Sequence, residues 1–216
     1  MSKIAIVGGT GHLGNAIAKR LVRAGHIVAI GSRSAEAAEA AAKEIGGDVS
    51  SGANAEVVAG CDFVIVAVPY AAQATTLRDI KDAVGTAIVV DTTVPLVPPK
   101  VMRVQLPAAG SAALEAQARL GPDVRLVSAF HNVAAHRLAT GEDVDCDVLV
   151  FSDDVDARTQ VVALVAEMGM RGLAAGSLAN SAAAEALTSI LIFLNKTYRA
   201  DGAGIRFTGL PETAPA

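Results

Sequence analysis

The chain has 216 residues, of which 52% are hydrophobic but only 3% aromatic, and a formal net charge of −4. That length allows one full doubly wound domain with a small appendage and excludes two large domains. The weak negative charge, with no Lys/Arg cluster and no aromatic-interleaved basic patch, argues against a nucleic-acid partner and gives no reason to expect a membrane one.

In chain order, Ile4-Ala5-Ile6-Val7 is an unbroken apolar run, as expected of a strand buried on both faces of a parallel sheet. After Gly8 comes Gly9-Thr10-Gly11-His12-Leu13-Gly14, which fits the dinucleotide pattern G-x-G-x-x-G. In that pattern the glycines permit a tight turn, a close approach of backbone to a pyrophosphate, and close packing of helix on strand. The helix expected from Leu13 to Ala24 carries an apolar face of Ala16, Ile17, Leu21 and Val22, and Gly25 stands as its stop. Its N-terminal amides and dipole would face the phosphates.

The second strand, Ile27 to Ile30, ends in Gly31-Ser32-Arg33-Ser34, with no carboxylate before Glu36. An NAD site carries Asp or Glu there for the ribose 2′-hydroxyl, and that charge would repel a 2′-phosphate. Arg33 can neutralise such a phosphate with charge-assisted hydrogen bonds while the Ser32 hydroxyl adds a donor. The cofactor expected is therefore NADP(H), with a solvated loop arginine as the plain alternative.

Ala35 to Ile45 reads as the crossover helix to a short strand near Asp48-Val49-Ser50, followed by a small helix from Asn54 to Ala59. Phe63 to Val68 is a further buried strand that stops at Pro69-Tyr70, where the carboxyl edge of the sheet borders the ligand crevice. Val68, Pro69 and Tyr70 join the candidate cofactor contacts, the plain alternative for Pro69 and Tyr70 being a strand terminator and a surface aromatic. A helix from Ala72 to Ala83 leads to the strand Ala87 to Asp91, and Pro95 lies just past its end at the cleft edge. Pro95, Pro98, Pro99 and Pro107 break regular structure between residues 95 and 110, so this stretch is a lid or a linker.

Ser111 to Leu120 resumes as helix, and the strand Arg125 to Phe130 delivers His131-Asn132-Val133 to the same edge. Cys146 to Phe151 makes another strand and Asp154 to Met168 another helix. Ser181 to Thr197 is apolar nearly all round, so it is expected to be buried, against the cleft or against a second copy in a homodimer. Ile205-Arg206-Phe207 reads as a short final strand and residues 211–216 as a frayed end. The fold class expected is α/β, a Rossmann-type doubly wound and mostly parallel sheet, with residues 1–154 binding NADP and residues 155–216 forming a C-terminal helical cap of the same compact unit.

No nucleophile elbow, metal cluster or pair of catalytic carboxylates is visible. Hydride transfer between two redox cofactors needs binding, orientation and exclusion of water more than a side-chain acid. His131 is the one candidate for a proton-bearing or positioning group, its plain alternative being a hydrogen-bonded histidine at a strand end. Asn195 and Lys196 read as an acid pair or a solvated helix end, His12 as a phosphate contact or a loop residue, and His26 and His136 carry no signal. Cys61 and Cys146 lie far apart, as expected of reduced thiols in a cytoplasmic protein. The first strand begins within a few residues of Met1, so no removable secretory leader is expected.

With these blocks in place the chain resembles the F420-dependent NADP oxidoreductases, which couple NADPH to the deazaflavin coenzyme F420. The resemblance runs essentially end to end. It rests on Gly8 to Gly14, Gly31-Ser32-Arg33, Val68-Pro69-Tyr70, Ser128 to Val133, and Ala175 to Ser181 leading to Gly204 to Phe207. It implies that Thr10, Ser32 and Arg33 hold the NADP phosphates, that the segment with His131, Asn132 and Val133 lies beside the deazaflavin, and that hydride passes directly from ring to ring.

Three departures mark this chain. Ala35, Glu36 and Ala37 stand where some members place a second basic residue, Tyr70 stands in place of tryptophan, and Asn132-Val133 stand in place of threonine and isoleucine. Two other readings remain beside the first: an NADPH reductase of a flavin or other acceptor, and a non-catalytic NADP-binding module.

Overall fold

The computed structural model describes residues 1–211. In chain order the elements are β1 (Lys3–Val7), α1 (His12–Arg23), β2 (Ile27–Ser32), α2 (Ala35–Ile45), β3 (Ser50–Ala53), α3 (Asn54–Val58), β4 (Phe63–Val66) and α4 (Tyr70–Ile80). There follow β5 (Ile88–Asp91), α5 (Ala112–Leu120), β6 (Leu126–Ser128), α6 (Ala135–Thr140), β7 (Asp147–Val150), α7 (Val155–Glu167), β8 (Arg171–Ala174) and α8 (Ser181–Tyr198). Six strands form one parallel sheet in the order β3-β2-β1-β4-β5-β6. The order reverses between β1 and β4, so the ligand crevice of the open sheet lies where their carboxyl ends part.

The apolar runs are unbroken because successive side chains serve two cores. Ile4 and Ile6 of β1, with Phe63 and Ile65 of β4, pack into the layer that holds α1 and α2. Ala5 and Val7, with Val64 and Val66, pack into the layer that holds α4 and α5. Helix ends follow local chemistry: Ser34, Ser111 and Asp154 cap α2, α5 and α7 by accepting amides three residues on. Gly25 at φ +86° ends α1, with the amides of Gly25 and His26 bonded to the carbonyls of Val22 and Leu21.

Several elements differ from the expectations. The double left-handed turn at Gly46 and Gly47 carries the chain past Asp48, so β3 begins at Ser50. The strand expected at Cys146 to Phe151 does not extend the main sheet. It pairs in parallel with β8, an element of half-exposed residues without apolar alternation, and meets β6 only through an antiparallel bridge between Ser128 and Phe151. Residues 205–207 run beside β7 but form no strand. The Asp147 amide donates to Ile205 O at 2.7 Å, while the Phe207 amide is taken by the Asp147 carboxylate at 2.6 Å. Residues 212–216, most of the expected frayed end, lie outside the described residues.

One buried cation joins the two parts. Arg20, on α1 and 6% exposed, donates to the carbonyls of Leu138 and Glu142 around the end of α6 and of Met168 after α7. The helix carrying the glycine turn is thereby tied to the segment that follows His131.

The largest departure is α8. It is not buried all round: Ile190 and Phe193 are 45% and 51% exposed, and its buried residues are Ser181, Ala184, Glu185, Ser189 and Leu191. By length and composition the run Leu178–Tyr198 is apolar enough to cross a membrane, yet its inward stripe is largely polar and bonded to the rest of the chain.

Candidate functional site

The turn between β1 and α1 is as tight as the glycines suggested. Gly8 sits at φ +81°, and a Cβ there would lie 2.6 Å from the Ala67 carbonyl oxygen at the end of β4. A Cβ on Gly14 would lie 2.7 Å from the carbonyl oxygen of Gly8, so only glycine lets α1 seat this closely on β1. The N-cap of α1 is Gly11, with no side-chain cap, which leaves first-turn amides for a ligand.

A groove of about 160 Å³ opens over this turn and collects Gly8, Thr10, Gly11, Ser32, Arg33, Val68 and Pro69. Gly9, Leu13 and Gly14 do not line it; Gly9 and Gly14 fix the turn's shape, and Leu13 packs against the core. Tyr70 is turned the other way: its hydroxyl donates to the Glu115 carboxylate at 3.1 Å, across the α4–α5 joint. His12 faces a second groove of about 730 Å³ on the far side of the turn, shared with Thr10, Gly11, Lys19 and His136.

The groove also holds a residue that the motif reading missed. Asn54, 8% exposed, packs its side chain where a Cβ on Gly31 would sit, and its Oδ1 is buried without a hydrogen-bond partner. An orphaned buried acceptor is costly and points to a donor that a ligand would bring. With uncapped amides, an exposed guanidinium and this acceptor, the groove fits a dinucleotide carrying phosphate at its ribose.

The acceptor segment begins with a backbone irregularity. Phe130, fully buried, has φ +67°, a conformation that a bulky residue adopts only when its surroundings impose it, most often at functional segments. His131 follows, 6% exposed, with Nε2 at 2.8 Å from Ser128 Oγ and its ring 6.2 Å from that of Phe151. Burial pushes its pKa down to about 4, so the ring is neutral near pH 7. Asn132 donates to Ala184 O at 2.9 Å, and His131 O accepts from Thr188 Oγ1 at 2.9 Å, so α8 is the wall behind the segment. Val133 and Pro95 are buried at the same end of the sheet. Asn195, in the last turn of α8, accepts the Ala203 amide on its side chain at 2.8 Å, and Lys196 is exposed.

Two buried carboxylates also escaped the sequence reading. Asp91, at the end of β5, accepts from Gln73, from the Thr93 amide and from the Thr93 hydroxyl, yet burial pushes its pKa up to about 6. Glu185, on α8, accepts from the Ala112 and Ala113 amides, and burial together with nearby Asp91 holds its pKa at about 7.

Both carboxylates bind protons in the folded state that the unfolded chain has already released. The stability they contribute is full below about pH 4 and is lost as pH rises through 6 to 7. The depressed His131 acts with the opposite sign, its contribution being full above 6.5 and lost as pH falls to about 4. Between about pH 4.5 and 6 the two carboxylates oppose the one histidine, so stability falls as pH rises. Urea unfolding should show this fall, flattened in Asp91→Asn and steepened in His131→Gln. A wild-type stability that rises over that window contradicts these environments.

The sequence and fold have known counterparts. The family model described as NADP oxidoreductase, coenzyme F420-dependent, matches residues 3–95. The F420-dependent NADP reductase of Methanothermobacter thermautotrophicus is 41% identical over 97% of this chain and 96% of its own length. That of Methanocaldococcus jannaschii is 38% identical over 96% and 99%. A crystal structure from Arthrobacter sp. FB24, provisionally described as an F420-dependent NADP-reductase, superposes with a TM-score of 0.83 over 96% of this chain and 100% of its own. Its 23% identity makes that a likeness of fold. With two curated relatives near 40% identity over almost their full lengths, the chain belongs to the family of F420-dependent NADP reductases.

Proposed function

We propose that the protein transfers a hydride between NADPH and the deazaflavin coenzyme F420. The observation that carries the reading is the convergence, in one groove, of the uncapped α1 terminus, Ser32, Arg33 and the orphaned Asn54 oxygen. When both are bound, the nicotinamide supplies the hydride from C4 directly to the deazaflavin C5, with the accompanying proton from solvent.

The residues bind and orient. The α1 amides and Thr10 hold the pyrophosphate, and Arg33 with the Ser32 hydroxyl holds the 2′-phosphate. Asn54 Oδ1 accepts from a sugar hydroxyl. Val68 and Pro69 carry the wall from the groove to the cleft edge, where Pro95 and the His131-Asn132-Val133 segment face the acceptor. His131, neutral and bonded to Ser128, shapes that segment. In this division of work residues 1–154 bind NADP and residues 155–216 cap the acceptor side. Free Cys61 and Cys146 suit a reducing, cytoplasmic location.

The outward apolar face of α8 supports a homodimer. Beside it a groove of about 580 Å³ runs between α8 and the β7–β8 sheet, lined by Phe151, Leu187, Phe207 and Leu210. A second copy has this same apolar chemistry to offer. Light scattering is expected to give twice the chain mass for the wild type and a monomer for Phe193→Asp; a wild-type monomer at micromolar concentration overturns the dimer.

The purified protein should consume oxidised F420 in the presence of NADPH, followed by loss of F420 absorbance, and should leave FMN and FAD untouched. Turnover of flavins without F420 would shift the acceptor, and redox silence with tight NADP binding would leave a binding module. Losing the charge-assisted bonds to the 2′-phosphate, Arg33→Ala should raise KM for NADPH by about tenfold or more while changing that for NADH by about twofold or less. Equal losses for both nucleotides contradict the role of Arg33.

A further inference from the structure

The inward stripe of α8 is a row of polar ties at helical spacing. Ser181 Oγ lies 3.2 Å from Glu185 Oε1, Thr188 Oγ1 donates to His131 O, and Ser189 Oγ donates to Arg103 O at 3.3 Å in the proline-broken loop. Glu185, 1% exposed, reaches across to a different helix: its Oε2 accepts the Ala112 amide at 2.7 Å and its Oε1 the Ala113 amide at 3.1 Å.

Helix α5 does not need this carboxylate as a cap, because Ser111 Oγ already accepts the Leu114 amide at 3.0 Å. A buried acid is costly, and this one is tolerated because two buried amides donate to it. What the carboxylate adds is geometry. Two consecutive amides at a helix N-terminus accept it in one orientation, so they fix α8 in rotation and along its axis. A slip of one turn, about 5.4 Å, would remove both the Thr188 tie and the Ala184 tie to residues 131 and 132.

We propose that Glu185 is a positioning residue for the acceptor half of the reaction: it seats α8 on the start of α5, and α8 so seated holds the His131–Val133 segment in place through Thr188 and Ala184. The proposal rests on the NADPH–F420 reading above. Besides α5, the neighbours of Glu185 belong to three elements: Asp91 on β5, Gln73 on α4, which bonds both Asp91 at 2.6 Å and Ala112 O at 3.1 Å, and Ser181 on α8 itself. Glu185 touches neither nucleotide pocket nor reacting atoms, so its effect should fall on one substrate.

The test is steady-state kinetics of Glu185→Leu, Glu185→Gln, Thr188→Val and the Glu185→Gln/Thr188→Val double variant, with wild type in parallel and thermal unfolding of each. The proposal expects Glu185→Leu to raise KM for F420 or lower kcat about tenfold, to leave KM for NADPH within about twofold, and to unfold earlier than wild type, because the Ala112 and Ala113 amides are left buried without an acceptor. Glu185→Gln, which keeps one oxygen acceptor, should be intermediate. Thr188→Val should reproduce the F420-selective loss, and the double variant should lose little more than the larger single one, because both act through the same contact.

Folded Glu185→Leu with unchanged F420 kinetics overturns the proposal, as do equal shifts for both substrates or additive losses in the double variant. Should Glu185→Leu fail to fold, Thr188→Val and Glu185→Gln decide by the same criteria. A wild type that turns over no F420 overturns the functional reading itself and this proposal with it.

Discussion

The structure depends on how closely α1 can sit on the end of β1. With the Gly8 carbonyl where the Cβ of residue 14 would be, and Gly8 pressed against the Ala67 carbonyl, the first strand, the first helix and the fourth strand meet at a single point. That contact aims the uncapped amides of α1 into the crevice between β1 and β4. It also sets the height at which Ser32-Arg33 at the end of β2 and Val68-Pro69 after β4 meet over the turn. Arg20, two helical turns further along α1, then ties the same helix to the carbonyls around α6 and after α7. The glycine turn and the segment that follows His131 are thus referred to one helix.

The His131–Val133 segment is held from behind by α8, whose amphipathicity is inverted. Its polar stripe faces the body of the chain, where Glu185, Thr188 and Ser189 each hold a different neighbour, and its apolar stripe faces outward. Burying polar groups is tolerable only when each is bonded, and here each is. The helix therefore offers two surfaces with different work: an inner one that gives the acceptor segment its shape, and an outer one suited to a second copy. The irregular backbone at Phe130 lies where the inner surface meets the end of β6, at the point where the chain turns from sheet into acceptor wall.

What could be read from the sequence was what local chemistry determines. The unit from β1 through β2 was legible because a doubly buried strand is apolar without interruption, because Gly25 stops a helix, and because a tight turn demands glycine. The approach of Ser32-Arg33 to the glycine turn was legible because the expected strand ends there, and the structure brings both residues into the groove over that turn. β8 and α6 were not, since Arg171-Gly172-Leu173-Ala174 shows no alternation and Ala135 to Thr140 is too short for a periodicity. Asn54 comes to the groove by lying beside Gly31 on the neighbouring strand, and the Tyr70 hydroxyl turns to a carboxylate on α5. In α8 the polar stripe consists of small Ser and Thr residues and one Glu among many apolar neighbours, so composition hid the face that matters.

The central claim is that two cofactors meet in one cleft and exchange hydride without an intermediary on the protein. The most direct measurement follows the atom: NADPH bearing deuterium at the transferring C4 position, reacted with F420 in ordinary water, and the reduced deazaflavin examined by mass spectrometry and NMR. The account predicts one deuterium at C5 of the product. A product free of deuterium, with the label released to water, would contradict it.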